Sequence, residues 1–412
     1  MKSIIGSLDP NDRTVSIWGA GFSGLVLGHY LKQKGLKVKI YERAGKAGGK
    51  IATKKTPYGM IESAANALYL NADSYELLKE LRLEPVVASK KLKRLIYLNG
   101  RPRRALQLKS LARFGTHLHK KPPLISDGLT VAEFFRPLLG EETVHNVLAP
   151  ALGGIYATPP ESLHFKSIFD HAADKAQFDS YWEFLRSLMK SLKEQEKPEI
   201  TGSVSFENGM QELVDGLAHS LKSEIKLNHK EPFRIRGNTV LCTDAHTASE
   251  LLSEFYPQIA MELGRIRYQE LTSVTVFLKR EIRSLHRAFG VLIPTGSPLH
   301  SLGVLNNKAI FPGNNPNVFS YTLISREDLT EAKVHQDLKT LYSEFVPEDI
   351  EHLQRTHWER ALPVYDLQRY LSVKRLHQLA HKEKNLAIFG NYVAGIGLRE
   401  MVSAAKAFTH GL

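Results

Sequence analysis

The stretch SIWGAGFSGLVLGHYL, Ser16 to Leu31, sets Gly19, Gly21 and Gly24 in the spacing G-x-G-x-x-G. Glycines alone license little, so the flanks decide. Before them, TVSIW (Thr14 to Trp18) is a short run of β-formers and reads as a buried strand. After them, Leu25, Gly28 and Leu31 recur at helical spacing, and Gly35 is a helix stop. KVKIYE follows as a second strand ending at Glu42. This is a complete βαβ unit of about thirty residues, the context that such a glycine pattern requires. Gly19 permits the tight turn, Gly21 lets a diphosphate approach the backbone, and Gly24 lets the helix pack on the strand. The helix N-terminus offers free N–H groups to phosphate. Glu42, 23 residues after Gly19, can accept hydrogen bonds from a ribose diol. The same charge repels a 2′-phosphate, which argues against NADP.

Six residues beyond that acid stand Gly48, Gly49 and Lys50. Two more glycines and a cation suit a second contact with the same diphosphate. A nicotinamide domain has no need of that second grip, so the pattern favours a resident flavin.

The chain has 412 residues, enough for two or three domains, with 42% hydrophobic and 24% charged residues. Cys242 is the single cysteine, so no disulfide forms within the chain and a reducing compartment is expected. The opening MKSIIGSLDPNDR lacks the apolar run of a signal peptide, and no window is long and apolar enough to span a membrane. The expectation is a cytoplasmic protein. The net charge of +12 is concentrated between Ser89 and Lys121, which hold eleven Lys or Arg and no acid. An anionic membrane surface, an anionic substrate or a solvated basic face each suit such a run. Nucleic acid does not, because no nucleic-acid module accompanies the charge. The 17 histidines show no metal-ligand spacing.

The segment from Gly19 to Lys50 resembles the N-terminal signature of a flavoprotein superfamily of amine oxidases, carotenoid desaturases and protoporphyrinogen oxidases. Later segments resemble protoporphyrinogen oxidases in particular. These are Phe134 to Leu163 with its Gly154-Ile155-Tyr156-Ala157 element, Ser205 to Leu221, Phe289 to Pro316, WERALPVYDL at Trp358, and LAIFGNYVAGIGLREMVSAA from Leu386. The resemblance implies non-covalent FAD held by Gly19, Ala20, Gly21, Phe22, Ser23, Gly24, Glu42, Arg43, Gly48, Gly49 and Lys50. It adds Ala64, Ala65, Asn66 and Ala67 near the flavin ring, and Gly395, Ile396, Gly397 and Leu398 in the closing segment. Ala64 stands where the family has glycine, which implies a methyl group against the ring or a shifted loop. No cysteine follows Cys242, so thioether attachment near the C-terminus is excluded.

The implied fold is α/β with α+β: a discontinuous Rossmann-like FAD-binding domain (12–88, 200–262 and 384–412), an inserted mixed-sheet substrate domain (89–106 and 263–383) and a helical segment (107–199). Local signals add detail. Asp73 and Glu76 suggest a capping box for a helix stopped by Pro85, and Thr130 with Glu133 suggests another. SYWEFLRSLMKSLKEQ is amphipathic, EKPEITGS reads as a linker, and Thr272 to Thr322 suggests an antiparallel sheet. Cys242 and Tyr392 read as packing residues.

The resemblance implies oxidation of a porphyrinogen in successive two-electron steps, with oxygen returned as hydrogen peroxide, as in haem biosynthesis. No side chain is assigned as catalytic, since the cofactor carries that chemistry. The substrate, a tetrapyrrole, needs a flat apolar slot with a cation at its rim, and Arg94 matches the family's propionate-pairing arginine. Resembling enzymes are peripheral membrane proteins, so Leu106, Leu108, Leu111 and Phe114 are candidates to enter a bilayer interface. Two alternatives stay open: an amine oxidase or desaturase of the same superfamily, and a non-catalytic binding protein on this scaffold. The sequence does not reveal which porphyrinogen is used or the oligomeric state.

Overall fold

The computed structural model describes residues 4–104, 108–172, 174–194, 196–314 and 319–412, and the side chains of 108–112, 171 and 314 are outside that description. Thr14–Trp18 and Lys37–Tyr41 pair in parallel at the centre of a six-stranded sheet. Its strand order is Ile5–Gly6, Leu386–Ile388, Asn238–Leu241, Thr14–Trp18, Lys37–Tyr41, Ile225–Lys226. Only the Ile5–Gly6 edge runs antiparallel to its neighbour. The helix Phe22–Gln33 lies on the sheet and ends just before Gly35, as the sequence implies. It can approach closely because Gly28 has no side chain: a Cβ there would sit 2.8 Å from Ile40 Cδ1. Val15, Ile17, Leu25, Leu27 and Ile40 are fully buried in the resulting core.

The second sheet has seven strands in the order Ile350–Pro363, Tyr268–Leu278, Phe319–Ser325, Gly303–Asn306, Ala288–Leu292, Lys93–Leu98, Arg101–Arg104. The antiparallel sheet expected from Thr272 onward is therefore a mixed one. Lys93–Leu98 comes from an earlier stretch and pairs in parallel with Ala288–Leu292, a non-local match that no local pattern announces. Six cations of the basic run lie on this edge: Lys93, Arg94, Arg101, Arg103 and Arg104 in the last two strands, with Lys91 just before them.

The helical segment is organised around tilted and edge-on aromatics. Phe134 contacts Phe165 at 4.2 Å and Phe184 at 4.8 Å between ring centroids, and Tyr181 Oη donates to the Phe134 carbonyl at 2.6 Å. Thr130 and Glu133 form the expected capping box on Val131–Leu139. The amphipathic stretch is the helix Tyr181–Glu194.

Three local expectations need correction. The Ala72–Glu80 helix is capped by Asn71, not Asp73: Asn71 Oδ1 accepts from Ser74 N and Ser74 Oγ accepts from Asn71 N, both at 2.9 Å. Asp73 and Glu76 instead bind the Lys406 ammonium, at 3.1 and 2.6 Å. The helix ends well before Pro85, where Arg82 takes a left-handed conformation (φ 56°). Leu367–Ala380, expected within the second substrate segment, packs in one apolar cluster with Leu241, Ala245 and Leu386 beside the parallel sheet. Of the residues expected at a bilayer, Leu106 and the side chains of Leu108 and Leu111 lie outside the described residues. Phe114 is half-buried against the aromatic cluster instead. Among the described residues no helix is long and apolar enough to cross a membrane.

Candidate active site

A cavity of about 1450 Å³ runs between the parallel sheet, the seven-stranded sheet and the helical segment. Single small-molecule sites reach roughly 1000 Å³, so there is room for an extended ligand and a second one beside it. The βαβ unit builds one end. Glu42 Oε2 accepts from Ala20 N and its Oε1 from Ala44 N, both at 2.8 Å, which aims the carboxylate at the glycine turn. Each oxygen keeps lone-pair capacity for a hydroxyl. Gly48 N donates to Ala20 O at 2.8 Å, and Gly21 bridges Gly48, so the second glycine loop lies directly on the first. The fit leaves no room for side chains. A Cβ on Gly49, already at φ +62°, would come 3.1 Å from Gly21 Cα, and one on Gly24 would come 1.9 Å from Gly19 O. The Phe22–Gln33 helix opens at Gly21 with no side-chain cap, so its free N–H groups face the cavity.

The closing segment builds a matching feature. The Leu398–His410 helix starts at Gly397, also without a side-chain cap, and Ile396, Gly397 and Leu398 line the same cavity. Two helix N-termini thus present partial positive charge to one space. Tyr365 Oη donates to Asn391 O at 2.5 Å, while Arg369 donates from Nε to Tyr392 O (2.8 Å) and from Nη2 to Val393 O (3.2 Å). Tyr365 of the WERALPVYDL element and Arg369 of the helix that follows it therefore position the chain just before Gly395.

The loop after Glu62 forms the middle of the wall, through Ser63, Ala64, Ala65, Asn66 and Ala67. It is anchored to the substrate sheet: Trp358 Nε1 donates to Ser63 O at 2.7 Å, and Ser63 Oγ donates to Lys50 O at 2.7 Å. Lys50 lines the cavity, but its ammonium binds the carbonyls of Arg360 and of Ala361 (3.0 Å). Burial pulls its pKa down, against the opposing pull of Asp244. Arg360 Nη1 in turn donates to Asp244 Oδ1 at 2.9 Å. Burial raises the Asp244 carboxyl, but hydrogen bonds from Thr247 and Arg360 outweigh it and hold the group below its ordinary value. Lys50 thus clamps the two sheets together rather than standing free for phosphate.

Glu62 also faces the cavity. Burial pushes its pKa up to about 7, against hydrogen bonds from Met210 N (2.9 Å) and Thr53 Oγ1 (2.8 Å) that favour the carboxylate.

Most of the residues expected to hold the cofactor line this one space: Gly19, Gly21, Phe22, Ser23, Glu42, Arg43, Gly48, Gly49, Lys50, Ala64–Ala67 and Ile396–Leu398. Ala20, Gly24 and Gly395 stand behind the wall and shape it through backbone. Arg94 lines the far end, its guanidinium 5.4 Å from the Phe289 ring centroid. Sequence reasoning missed Trp18, Tyr41, His229, Phe233 and Asp244 at the Glu42 end, and Trp358 in the middle. Their one local sign was an indole immediately before the glycine turn. Cys242 follows the strand Asn238–Leu241 and is buried, with its thiol pushed well up by burial. Tyr392 is fully buried, and burial raises its hydroxyl well above the ordinary value. Among the described residues no cluster of His, Cys, Asp and Glu could hold a metal ion.

These residues fit a flavin dinucleotide: a carboxylate poised for a diol, a glycine cradle that a Cβ would fill, and uncapped helix N-termini for phosphate. Over residues 22–231, half of the chain, the sequence matches the family of flavin containing amine oxidoreductases. The chain belongs to that family. As a flavin-containing amine oxidoreductase it is a flavin-dependent oxidoreductase, and the relatives it resembles include protoporphyrinogen oxidases. Protoporphyrinogen oxidase 2 of Arabidopsis thaliana is 25% identical over 476 aligned positions, covering 96% of this chain and 93% of the relative. The coproporphyrinogen III oxidase of Staphylococcus aureus is 28% identical over 52% of each chain. A crystal structure of a candidate protoporphyrinogen oxidase from Exiguobacterium sp. 255-15 matches with a TM-score of 0.74. It is 18% identical and covers 98% of this chain and 99% of its own, which shows the shared fold.

Proposed function

We propose that this flavoprotein is an FAD-dependent oxidase that converts a porphyrinogen to the porphyrin with oxygen as acceptor. The observation that carries the reading is the far end of the cavity. Leu95, Leu271, Phe289, Val291, Val304 and Ile324 make apolar walls on the seven-stranded sheet, and Arg94 is the cation among the described lining residues there. A hydrocarbon-rich tetrapyrrole macrocycle with carboxylates on one edge suits that lining. FAD, bound non-covalently, supplies the two-electron acceptor. The chain itself orients the ring and shields it from water. Arg94 pairs the carboxylates at the rim, and the Ser63–Ala65 loop, tied to Trp358, holds the wall between cofactor and substrate.

The same lining favours protoporphyrinogen IX over coproporphyrinogen III. A tetracarboxylate would place further charges against apolar walls, and an unpaired buried charge costs several kcal/mol. Mixing the purified protein aerobically with each porphyrinogen and following porphyrin fluorescence tests the reading. Formation above the spontaneous rate is expected, faster with protoporphyrinogen IX, and no increase with either sinks the proposal. Arg94→Ala is expected to raise KM with flavin content unchanged.

We further propose that the protein contacts an anionic membrane surface. Trp182, Met189 and Leu192 are exposed on the Tyr181–Glu194 helix beside Arg186, Lys190 and Lys193, the composition of an interfacial helix. Co-sedimentation with vesicles containing phosphatidylserine, and release by salt, checks this.

A further inference from the structure

We infer that Trp18 is an adenine-contacting residue, and that its indole N–H is a hydrogen-bond donor to the adenosine half of the cofactor. The inference rests on the cavity holding FAD. Trp18 ends the strand that feeds the glycine turn, so its position relative to Glu42 is fixed by the βαβ unit itself. Its backbone is pinned on the opposite side, where Trp18 O accepts from Cys242 N at 2.8 Å. Around it stand three more rings, Tyr41 from the neighbouring strand and His229 and Phe233 from one loop. Trp18 lies 4.9 Å from Tyr41, 5.4 Å from His229 and 4.9 Å from Phe233 between ring centroids, and Tyr41 lies 4.6 Å from His229. All four line the cavity at the end marked by the Glu42 carboxylate.

Two features turn this cluster from packing into a site. The Trp18 Nε1 atom is buried and has no hydrogen-bond partner among the described residues. Buried donors are almost always satisfied, so an orphan in the wall of a cavity calls for an acceptor brought by a ligand. The second feature is chemical. The cluster offers ring faces and edges, and the carboxylate beside it suits a diol. A ligand that meets all three is flat and aromatic, carries ring nitrogens or oxygens as acceptors, and bears a ribose. Adenosine has these properties. The isoalloxazine end of the cofactor is accounted for by the Ala64–Ala67 loop at the other side of the glycine cradle.

The test compares the full chain with Trp18→Phe, which keeps an aromatic ring and removes the donor. After the flavin is stripped, each protein is titrated with FAD and separately with FMN, which lacks the adenosine half. Binding is followed by flavin fluorescence. Loss of one hydrogen bond is expected to weaken FAD about three- to tenfold and to leave FMN unchanged. ADP alone is expected to alter tryptophan emission in the wild type and not in the variant. Trp358, at the flavin end, serves as an internal control because ADP does not reach it. Unaltered FAD affinity in Trp18→Phe overturns the inference. So does equal weakening of FAD and FMN, which would mark Trp18 as a general structural residue. A wild-type chain that binds neither flavin refutes the cofactor reading itself, and the inference with it.

Discussion

Replacing Glu62 with glutamine isolates the contribution of one buried carboxyl in the site wall. In the folded chain this group titrates near 7, whereas an exposed glutamate titrates near 4.5, and burial is the main cause. Between those two values the folded state binds more protons than the unfolded state. Stability therefore falls as pH rises through this window. The contribution is fully present below pH about 4.5 and is lost by about pH 7. At about 1.4 kcal/mol per unit, a shift of this size corresponds to about 3 kcal/mol. Glutamine carries no charge at any pH, so its stability lacks this slope. The substitution also has a pH-independent cost. Thr53 Oγ1 already accepts from Gln211 N at 3.0 Å and donates to Glu62. A glutamine amide in place of the carboxylate oxygen leaves the threonine hydrogen without an acceptor, which costs about 1 kcal/mol. Urea unfolding of both proteins at intervals from pH 4.5 to pH 8 separates the two effects, because titrations elsewhere cancel in the difference. Glu62→Gln is expected to be the less stable below pH 5 and the more stable by pH 8. Parallel stability curves for the two proteins would refute the reasoning.

Gly49→Ala should lower flavin content while far-UV circular dichroism stays unchanged, since its Cβ meets Gly21 Cα in a left-handed backbone position. Lys50→Met keeps the apolar stem but removes the donor to the Arg360 and Ala361 carbonyls, and denaturant unfolding should register a loss on the order of 2 kcal/mol. Asn71→Ala should cost about 1 kcal/mol through loss of the Ala72–Glu80 cap, whereas Asp73→Ala leaves that cap intact.

The dinucleotide end was legible because its signals are local. Thr14–Trp18, the glycines, the helix stop at Gly35 and Glu42 all fall within one βαβ unit, where period and spacing speak directly. Neighbouring candidates were harder to separate. Asp73 with Glu76 and Asn71 with Ser74 both satisfy a capping pattern, and the choice turned on Lys406, 333 residues away from Asp73, which takes both acids. The parallel pairing of Lys93–Leu98 with Ala288–Leu292 was illegible for the same reason. Lys50 illustrates the limit at the site itself. Its place beside the double glycine suggested phosphate, and its actual partners are carbonyls more than 300 residues later. The ring cluster at Trp18 draws on residues 18, 41, 229 and 233, a grouping made by two strands and a distant loop and invisible in any window of sequence.

The most direct measurement mixes the purified yellow protein with protoporphyrinogen IX in the absence of oxygen and follows the visible flavin band. The account predicts that the band bleaches while little porphyrin forms, because one flavin takes two of the six electrons, and that admitting air restores the band and raises porphyrin fluorescence with release of hydrogen peroxide. A protein that is colourless, or a flavin band untouched by protoporphyrinogen IX, would contradict it.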